Sequence, residues 1–350
     1  MVRAKFPHKG FNLDIKKLPG NGLSGRFIFP PFSVLRATDG EWNKRKRQWI
    51  ALGIKSEVGR GGNLTIRDPQ LNDFNVYKNG NYKKTATSYN IDNKTEWEKG
   101  LLHKGKTIVT ENGEKWEGGE SAWQNSGTSI FDPVLCELMY SWFCVPNGTI
   151  LDPFAGGSVR GIVANYMGFK YTGIELRPEQ VDENVLQGKL ICPSNEPTWI
   201  CGDAFERLRE APQADLIFSC PPYGNQEVYS SLAADISNKT YPEFLARYEQ
   251  IIRRAVRKLK DNRFACFVVS NFRDKKTGMY YNFVGDTVSI FERYGLHYYN
   301  DAILVTPTGS LPVRAGKQFN SGRKLGKTHQ NVLVFYKGDP KQISKEFNHE

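Results

Sequence analysis

From about residue 127 onward, short apolar segments alternate with amphipathic ones, and this alternation constrains the fold of the chain more than any other feature. Runs such as GTILDPF, YTGIEL, ADLIFSC and RFACFVVSNF are typical of buried strands. Between them, VRGIVANYMG and YPEFLARYEQIIRRAVRKLK repeat their apolar residues at helical spacing. Strands that alternate with helices predict a doubly wound α/β sheet with helices on both faces.

This pattern divides the chain into three parts. We assign residues 127–340 to the α/β domain, 1–126 to an N-terminal extension and 341–350 to a short tail. The extension is rich in Gly, Asn and Lys, as in GRGGNLTIRD and YKNGNYKKTATSYNIDNK, and its main candidate helix is WNKRKRQWIALGIKSEVG. We therefore expect the extension to be largely irregular and to pack on the α/β domain.

Two classes of protein are disfavoured by the sequence. No apolar run approaches the roughly 18 residues of a membrane span, and the N-terminal MVRAKFPHKGFNLDIKK lacks the apolar core of a secretion signal. We expect no membrane association and a location in the cytoplasm. The six cysteines form no Cys-x-x-Cys pair and the five histidines are scattered, so neither a metal site nor a disulfide framework is predicted.

The charge balance favours a polyanionic partner. Lys and Arg number 48 against 37 Asp and Glu, which gives a formal net charge of +11. A basic balance is typical of nucleic-acid binding, although many proteins carry basic faces that are only solvated.

A glycine-rich turn follows the first strand of the α/β domain, in LDPFAGGSVRG. Such a turn lets the backbone approach a cofactor at the start of a helix. The spacing G-x-G-x-x-G is absent, which argues against a nicotinamide dinucleotide. By itself the segment is also compatible with an ordinary tight turn.

The next three strands also end on groups suited to a nucleoside ligand. Glu175 ends TGIEL, Asp203 follows the third strand in CGDA, and the fourth strand ends on SCPPYG. Ligands of open α/β sheets bind outside the carboxyl ends of the strands. The conjunction of four such strand ends is far more specific than any one of them.

Together these residues resemble the S-adenosylmethionine (SAM)-dependent amino-methyltransferases of DNA. The resemblance implies a Rossmann-like methyltransferase sheet, SAM as the cofactor and double-stranded DNA as the partner. DPFAGGS looks like the family's donor-binding motif, Glu175 like its ribose contact and Asp203 like its adenine contact, and FDP lies in the segment that closes over the methionine. The implied cofactor residues are Phe131, Asp132, Asp152, Phe154, Ala155, Gly156, Gly157, Ser158, Glu175 and Asp203.

The family's catalytic tetrad, Asp/Asn/Ser-Pro-Pro-Tyr/Phe, matches Cys220, Pro221, Pro222 and Tyr223. In such a site two acceptors take the hydrogens of an exocyclic amine and aim its lone pair at the methyl group, while the aromatic ring stacks on a flipped base. SNFRD at 270–274 falls where the family has a wall of the base pocket. Direct displacement of this kind needs no metal.

Cys220 departs from the family's pattern, because a thiol is a weaker acceptor than Asp, Asn or Ser. Serine is the usual choice for cytosine N4, and cysteine is closest to serine in size, so we favour N4-cytosine over N6-adenine. Attack by Cys220 on a pyrimidine ring is disfavoured, since in C5-cytosine methylation the cysteine follows the proline. A buried structural cysteine is the remaining interpretation.

Two basic segments are candidates for DNA contact, and the extension is the candidate for target recognition. Arg45 and Arg47 lie on the N-terminal helix with interleaved tryptophans, although a helix whose tryptophans face the core fits equally well. The second segment is LPVRAGKQFNSGRKLGKTHQ. We expect it to be a loop beside the active site, between the two strands that close the sheet, GLHYYNDAILVTP and NVLVFYKG. Its basic residues are Arg314, Lys317, Arg323, Lys324 and Lys327.

The segments at 30–60 and around SIFDPVLCELMYSWF resemble a phage or prophage branch, which fits a restriction-modification setting. Three alternatives remain open. The chain methylates a base of tRNA or rRNA, since Pro-Pro-Tyr-Gly also occurs there; it binds DNA with a decayed active site; or it transfers a group other than methyl.

Overall fold

The protein is described here by a computed structural model that separates the chain into two units. The main unit comprises residues 1–60 and 130–350, and the second comprises 61–129. The structure describes residues 23–54, 108–109, 115–116, 131–224, 230, 232, 234–309 and 311–347. In the second unit, β2 (Ile108–Val109) and β3 (Lys115–Trp116) pair antiparallel. The Asn-rich segment 72–95, expected to be irregular, lies outside the described residues.

An eight-stranded sheet forms the centre of the main unit, in the order β1-β11-β12-β8-β7-β4-β5-β6. Its strands are β1 (Val34–Arg36), β4 (Thr149–Asp152), β5 (Lys170–Glu175), β6 (Thr198–Cys201), β7 (Ala214–Ser219), β8 (Leu259–Val269), β11 (His297–Val305) and β12 (His329–Lys337). Strands β4 to β8 are parallel, and β12 runs antiparallel to β8 and β11. Chain order reverses at β4, which confirms the predicted doubly wound α/β sheet.

The helices lie between these strands. Their bounds are α1 (Leu23–Phe27), α2 (Gly40–Ala51), α3 (Pro133–Phe143), α4 (Val159–Tyr166), α5 (Pro178–Ile191), α6 (Ala204–Arg207), α7 (Tyr241–Val256), α8 (Phe283–Arg293), α9 (Leu311–Gly322) and α10 (Ile343–Glu346). Among the described residues, no helix combines the length and the apolar character that crossing a membrane requires.

Local chemistry explains where two of these helices begin. The Asp132 side chain accepts hydrogen bonds from the backbone of Val134 at 3.0 Å and of Leu135 at 3.4 Å, and proline occupies the first turn of α3. Helix α7 begins at a capping box formed by Thr240 and Glu243. The sequence therefore encodes both helix starts locally.

Two hydrophobic cores cover the two faces of the sheet, because side chains alternate along each strand. On β7, Phe218 belongs to the core that includes α3 and α4, whereas its neighbour Ile217 belongs to the core that includes α7 and α8. Cys266 and Phe267 alternate in the same way on β8. Strands buried on both faces read as continuous apolar runs, which is the pattern seen in the sequence.

Helix α2 packs on the first of these cores. Trp42 and Trp49 are fully buried, and Trp49 Nε1 donates to Glu137 Oε2 of α3 at 2.9 Å. Arg45 is also buried, and its Nε donates to Glu137 Oε2 at 2.5 Å. The alternative in which the tryptophans face the core is therefore the one observed. Arg45 lies in the interior, so we no longer expect it to contact DNA.

Three elements were not expected from the sequence. Strand β1, from the N-terminal extension, joins the main sheet in parallel with β11. Strands β9 (Phe272–Arg273) and β10 (Tyr280–Tyr281) form a hairpin before α8. Helix α9 replaces most of the loop expected between the closing strands, and none of its residues is buried. The segment contains Gly316 and Gly322, and glycine disfavours a helix, so its composition favoured a loop.

Asp215 joins three segments near the amino end of β7. It accepts from Thr149 N at 3.0 Å, from Lys260 Nζ at 2.9 Å and from Arg263 Nε at 3.1 Å. Burial alone would raise the pKa of Asp215, but these hydrogen bonds outweigh burial and lower the pKa below its ordinary value. Because the pKa is lowered in the folded state, the stabilisation is present above the unfolded pKa and is lost as the pH falls through the folded pKa.

We expect Asp215→Asn to lower the free energy of unfolding by about 1–3 kcal/mol at pH 7. The deficit should shrink once the pH falls below about 4, where the wild-type carboxylate is also protonated. Urea unfolding at pH 7 and pH 3 measures both values. Asp261→Asn is the matched control, since Asp261 is exposed and pairs at the surface with Lys337. An equal deficit at both pH values would contradict the assignment.

Candidate active site

The four segments singled out in the sequence come together at one edge of the sheet. Strands β4, β5, β6 and β7 are parallel, and Asp152 lies opposite Gly173 while Glu175 lies opposite Cys201. Their carboxyl ends therefore bring the glycine turn, Glu175, Asp203 and the Cys-Pro-Pro-Tyr segment to the same edge. Helix α9 connects β11 to β12, and β12 begins at this same edge, because Asn331 of β12 lies opposite Val269 at the end of β8.

The glycine turn after β4 lies against the end of β5. Ala155 N donates to Ile174 O at 2.9 Å, and Gly156 N donates to Glu175 Oε2 at 2.9 Å. Gly156 has a φ of +55°, a conformation that side chains disfavour. Asn184 Nδ2 of α5 donates to Gly156 O at 2.8 Å and holds the turn from the other side.

This arrangement fits the cofactor that the sequence implies. Glu175 is half-buried at the strand end and lies one hydrogen bond from the turn, so its carboxylate can serve a ribose while the Gly156–Gly157 backbone approaches the amino-acid part. Phe154 is half-buried in the same turn. The chemistry of these groups is that of a nucleoside site.

Asp203 has two protein partners in the structure. Its Oδ1 accepts from Phe205 N at 2.9 Å and its Oδ2 accepts from Arg247 Nη2 of α7 at 2.5 Å. The guanidinium carbons of Arg247 and Arg254 lie 3.9 and 3.3 Å from the centre of the Phe205 ring. The sequence did not point to Arg247, because its contact with Asp203 joins segments 44 residues apart. The predicted adenine contact of Asp203 stays a prediction.

Beneath the turn, Asp152 is the centre of a buried network. Its carboxylate has no exposed surface and accepts from Arg160 Nε at 2.5 Å, from Tyr171 Oη at 2.8 Å and from Ser219 Oγ at 2.5 Å. Arg160 also donates to the carbonyl oxygens of Phe154 and Ala155, at 2.6 and 2.7 Å. Asp152 therefore supports the turn from below, and a buried carboxylate is not available to the cofactor.

Two further residues of the implied cofactor set point their polar groups into the protein. Ser158 is fully buried, and its Oγ donates to Gln187 Oε1 at 3.1 Å. Asp132 caps α3 and also accepts from Trp42 Nε1 at 3.2 Å and from Lys46 Nζ at 3.1 Å. Both side chains thus bind neighbouring protein groups and hold the turn after β4 and the start of α3 in place.

Phe131 contacts the buried network through Arg160. The Arg160 guanidinium carbon is 4.5 Å from the centre of the half-buried Phe131 ring, which packs edge-on against Phe218 of β7 at 5.8 Å. The cation over the ring links the FDP segment to the turn that Arg160 holds.

The tetrad follows directly on β7, which is buried along its whole length. Cys220 and Pro222 are half-buried, and Pro221 is buried between them. The Cys220 Sγ lies 3.9 Å from Tyr223 Oη. The network beneath the turn reaches this segment through Ser219, the residue immediately before Cys220.

Tyr223 is held by aromatic and polar contacts. Its ring lies 6.4 Å from the Phe272 ring at an interplanar angle of 26°, so segment 270–274 adjoins the tetrad. That this segment forms a wall of the base pocket stays a prediction. Phe283 packs edge-on at 6.3 Å. The Tyr223 hydroxyl oxygen accepts from Gln330 Nε2 of β12 at 2.6 Å. Gln330 was missed because only the antiparallel closing strand brings it to the tetrad.

The basic residues predicted for DNA contact lie in different settings. Arg47 on α2, and Arg314, Lys317 and Arg323 on or after α9, are exposed or half-exposed. Lys324 and Lys327 belong to the segment that follows α9, and both are half-buried. Lys327 Nζ donates to Asn271 O at 3.0 Å, and burial lowers the pKa of Lys327 below its ordinary value.

The described residues contain no group of three or more His, Cys, Asp or Glu side chains arranged to hold a metal ion.

Residues 214–350 match the family model N6_N4_Mtase, which is described as DNA methylase. This part of the chain is therefore similar to DNA methylases. The match begins at the first residue of β7, the strand that ends on the tetrad. It supports SAM-dependent methylation of DNA as the activity.

No curated protein sequence matches this chain. Similar solved structures include TrmN from Thermus thermophilus, at 14% identity over 59% of this chain and 49% of that chain with a TM-score of 0.40. Magnesium protoporphyrin IX methyltransferase from Synechocystis PCC 6803 with bound SAM is 12% identical over 59% of this chain and 79% of that chain, with a TM-score of 0.37.

A third structure, described as a DNA modification methylase from Thermus thermophilus, is 19% identical over 39% of this chain and 51% of that chain, with a TM-score of 0.29. The present chain thus spans about half the length of the two Thermus proteins. At such TM-scores these similarities do not bear on substrate or mechanism.

Proposed function

We propose that the protein transfers the methyl group of SAM to an exocyclic amino group of a flipped-out base in double-stranded DNA, and that the base is cytosine, methylated at N4. One observation carries the proposal. The strand that opens the DNA methylase match ends on Cys-Pro-Pro-Tyr, at the sheet edge that also holds the glycine turn and Glu175.

The cofactor supplies an electrophilic methyl group when bound. The residues proposed to hold it are Phe131, Glu175 and Asp203, together with the half-buried residues of the turn, Phe154, Gly156 and Gly157. The Arg160 donations to Phe154 O and Ala155 O fix the turn, so little of it needs to be ordered on binding.

On the base side, the tetrad orients the amine. The Pro221 carbonyl oxygen and the Cys220 sulfur are the proposed acceptors for the two amine hydrogens, and the proline rings hold that carbonyl rigidly. Tyr223 is the proposed stacking partner of the extruded base. These contacts would turn the nitrogen lone pair towards the methyl group that the cofactor supplies. The N–C bond would form as the S–C bond of the sulfonium breaks, and one amine hydrogen would leave as a proton to solvent.

Cytosine N4 is proposed because of the size of the residue at the first tetrad position. Cysteine replaces the serine typical of N4 methylation with little change of volume, whereas the Asp or Asn of other sites adds a carbonyl group. A thiol accepts hydrogen bonds weakly, so the Pro221 carbonyl carries more of the orienting role.

The test is methylation of unmodified DNA by the purified protein. Incubation with SAM, digestion to nucleosides and mass-detected chromatography should show N4-methylcytosine. N6-methyladenine would keep the DNA activity and overturn the choice of base. Methyl groups found on tRNA or rRNA but not on DNA would favour the RNA alternative, and DNA binding without any transfer would favour the decayed site.

A pair of cysteine variants tests the role of Cys220. Cys220→Ser restores a stronger acceptor of similar size, so we expect the rate of transfer to be kept or raised by a few-fold, on the order of one added hydrogen bond. Cys192→Ser is the matched control, because Cys192 is buried away from the tetrad with its Sγ 3.6 Å from Ile162 O. A Cys220→Ser variant without activity would show that the thiol itself is required.

The residues proposed to hold DNA are Arg47, Arg314, Lys317, Arg323, Lys324 and Lys327. The helix α9 and the segment after it contain no acidic residue, which supports phosphate contact at this edge. We also propose that residues 1–126 take part in target recognition.

A further inference from the structure

The β9–β10 hairpin leads from the proposed base pocket to an exposed turn. Phe272, at its base, stacks beside Tyr223 and pairs with Tyr281 across the hairpin. Residues 274–279, which we call the tip, connect the two strands. The tip is thus tied by one short strand to the ring proposed to receive the base.

The hairpin is braced at several points. The Arg273 guanidinium carbon lies 3.9 Å from the Tyr280 ring centre, and Arg273 Nη1 donates to Gly278 O at 2.8 Å. Tyr281 stacks on Tyr241 of α7 at a ring distance of 4.0 Å. A braced hairpin loses little conformational freedom when it meets a ligand.

The tip carries one large apolar side chain between positive charges. Met279 is 71% exposed, and Lys275 and Lys276 of the same turn are exposed. The one acidic residue of the tip, Asp274, is engaged within its own turn, since it accepts from Lys276 N at 2.9 Å and from Thr277 Oγ1 at 2.9 Å.

A second basic segment adjoins the tip. Lys324 Nζ lies 2.7 Å from the position that a Cβ on Gly278 would take, and Lys327 Nζ lies 5.8 Å from the Tyr280 ring centre. Lysines from two segments therefore lie at or beside the residues that flank Met279. An apolar side chain in a positive setting is complementary to a base stack between two phosphate backbones.

We propose that the tip is a wedge that enters duplex DNA beside the target base, with Met279 filling the space in the stack and Lys275 and Lys276 meeting the flanking phosphates. This inference rests on the proposed function. Extrusion of a base leaves a gap in the stack, and a flexible apolar side chain is one of the groups by which proteins hold such a gap open. The braced hairpin fixes the wedge relative to Tyr223.

Native and heat-denatured DNA distinguish a wedge from any other contact. A single strand has no duplex to open, so the wedge should matter only for native DNA. With tritiated SAM and the same unmodified DNA in both forms, we expect Met279→Ala to lower transfer to native DNA about 10-fold and to leave transfer to denatured DNA within about 2-fold. Leu190→Ala, an equally conservative change at a residue of α5 that is 59% exposed, should leave both unchanged.

Equal rates for Met279→Ala and wild type on native DNA would overturn the wedge, as would an equal loss on both DNA forms. Failure of the proposed function has a different signature, because wild-type protein would then methylate neither form. The lysines are tested separately through the salt dependence of DNA affinity. Lys275→Gln/Lys276→Gln should reduce the slope of log affinity against log salt by about 1–2, and an unchanged slope would contradict their phosphate contacts.

Discussion

Replacing Asp152 by alanine is expected to lower the free energy of unfolding of this protein by about 3–5 kcal/mol. The carboxylate has no exposed surface and accepts hydrogen bonds from Arg160, Tyr171 and Ser219. Its removal leaves the guanidinium of Arg160 buried without its partner, which is the costly way to break a buried ion pair. Burial alone would lower the pKa of Arg160, but Asp152 reverses that effect and raises it, so the arginine stays charged.

The loss should extend to activity under conditions where the variant is still folded. Arg160 holds the carbonyl groups of Phe154 and Ala155, and Ser219 precedes the tetrad. Both halves of the proposed site thus depend on the same carboxylate, one for the cofactor and one for the base. We expect SAM affinity and the rate of methyl transfer to fall together, whereas a variant in the base pocket alone should spare SAM affinity.

Urea unfolding measures the stability effect, with Asp261→Ala as its control. Asp261 is an exposed carboxylate that pairs with Lys337 at 3.1 Å, and surface pairs of this kind contribute less than about 1 kcal/mol. A loss of less than about 1 kcal/mol in Asp152→Ala would mean that the network is not cooperative. Asp152→Leu separates the effect of the lost charge from that of the lost volume, since leucine fills the space but still leaves Arg160 without its carboxylate partner.

The sequence predicts the parts of this site that depend on position along a strand. Glu175, Asp203 and the tetrad follow three apolar runs, and the carboxyl ends of parallel strands meet at one edge whatever the rest of the chain does. The start of α3 at Asp132 is also encoded locally, by the capping carboxylate and the proline in the first turn. Such features need only the period of the strands and the chemistry of a few consecutive residues.

The contacts that hold the site are long-range, and sequence pattern does not reveal them. Arg45 lies in a basic segment of the kind that contacts phosphates, yet its side chain is buried against Glu137, 92 residues away in the sequence. Gln330 meets Tyr223 only because β12 returns antiparallel beside β8. Asp152 belongs to a motif associated with the cofactor, but its burial follows from Arg160 and Tyr171, which no spacing rule connects to it.

Tyr223→Ala is expected to lower kcat/KM for DNA by about 10- to 100-fold, because stacking of a base on an aromatic ring contributes about 1–3 kcal/mol. SAM affinity should stay unchanged, since the Tyr223 ring packs against Phe272 and Phe283 on the base side of the proposed site. Methyl transfer at saturating SAM and calorimetric SAM binding give the two values. A parallel fall in SAM affinity would place the ring in the cofactor site instead.

Tyr223→Phe separates the ring from the hydroxyl group. It retains the stacking surface and removes the oxygen that accepts from Gln330 Nε2, so we expect only the few-fold loss that one neutral hydrogen bond supports, about 1 kcal/mol. Gln330→Leu breaks the same bond from β12. If the bond positions the ring, the double variant should be no worse than either single variant, because interacting residues are not additive. Additive losses would mean that Gln330 acts on the substrate directly, and the closing strand would then belong to the base pocket.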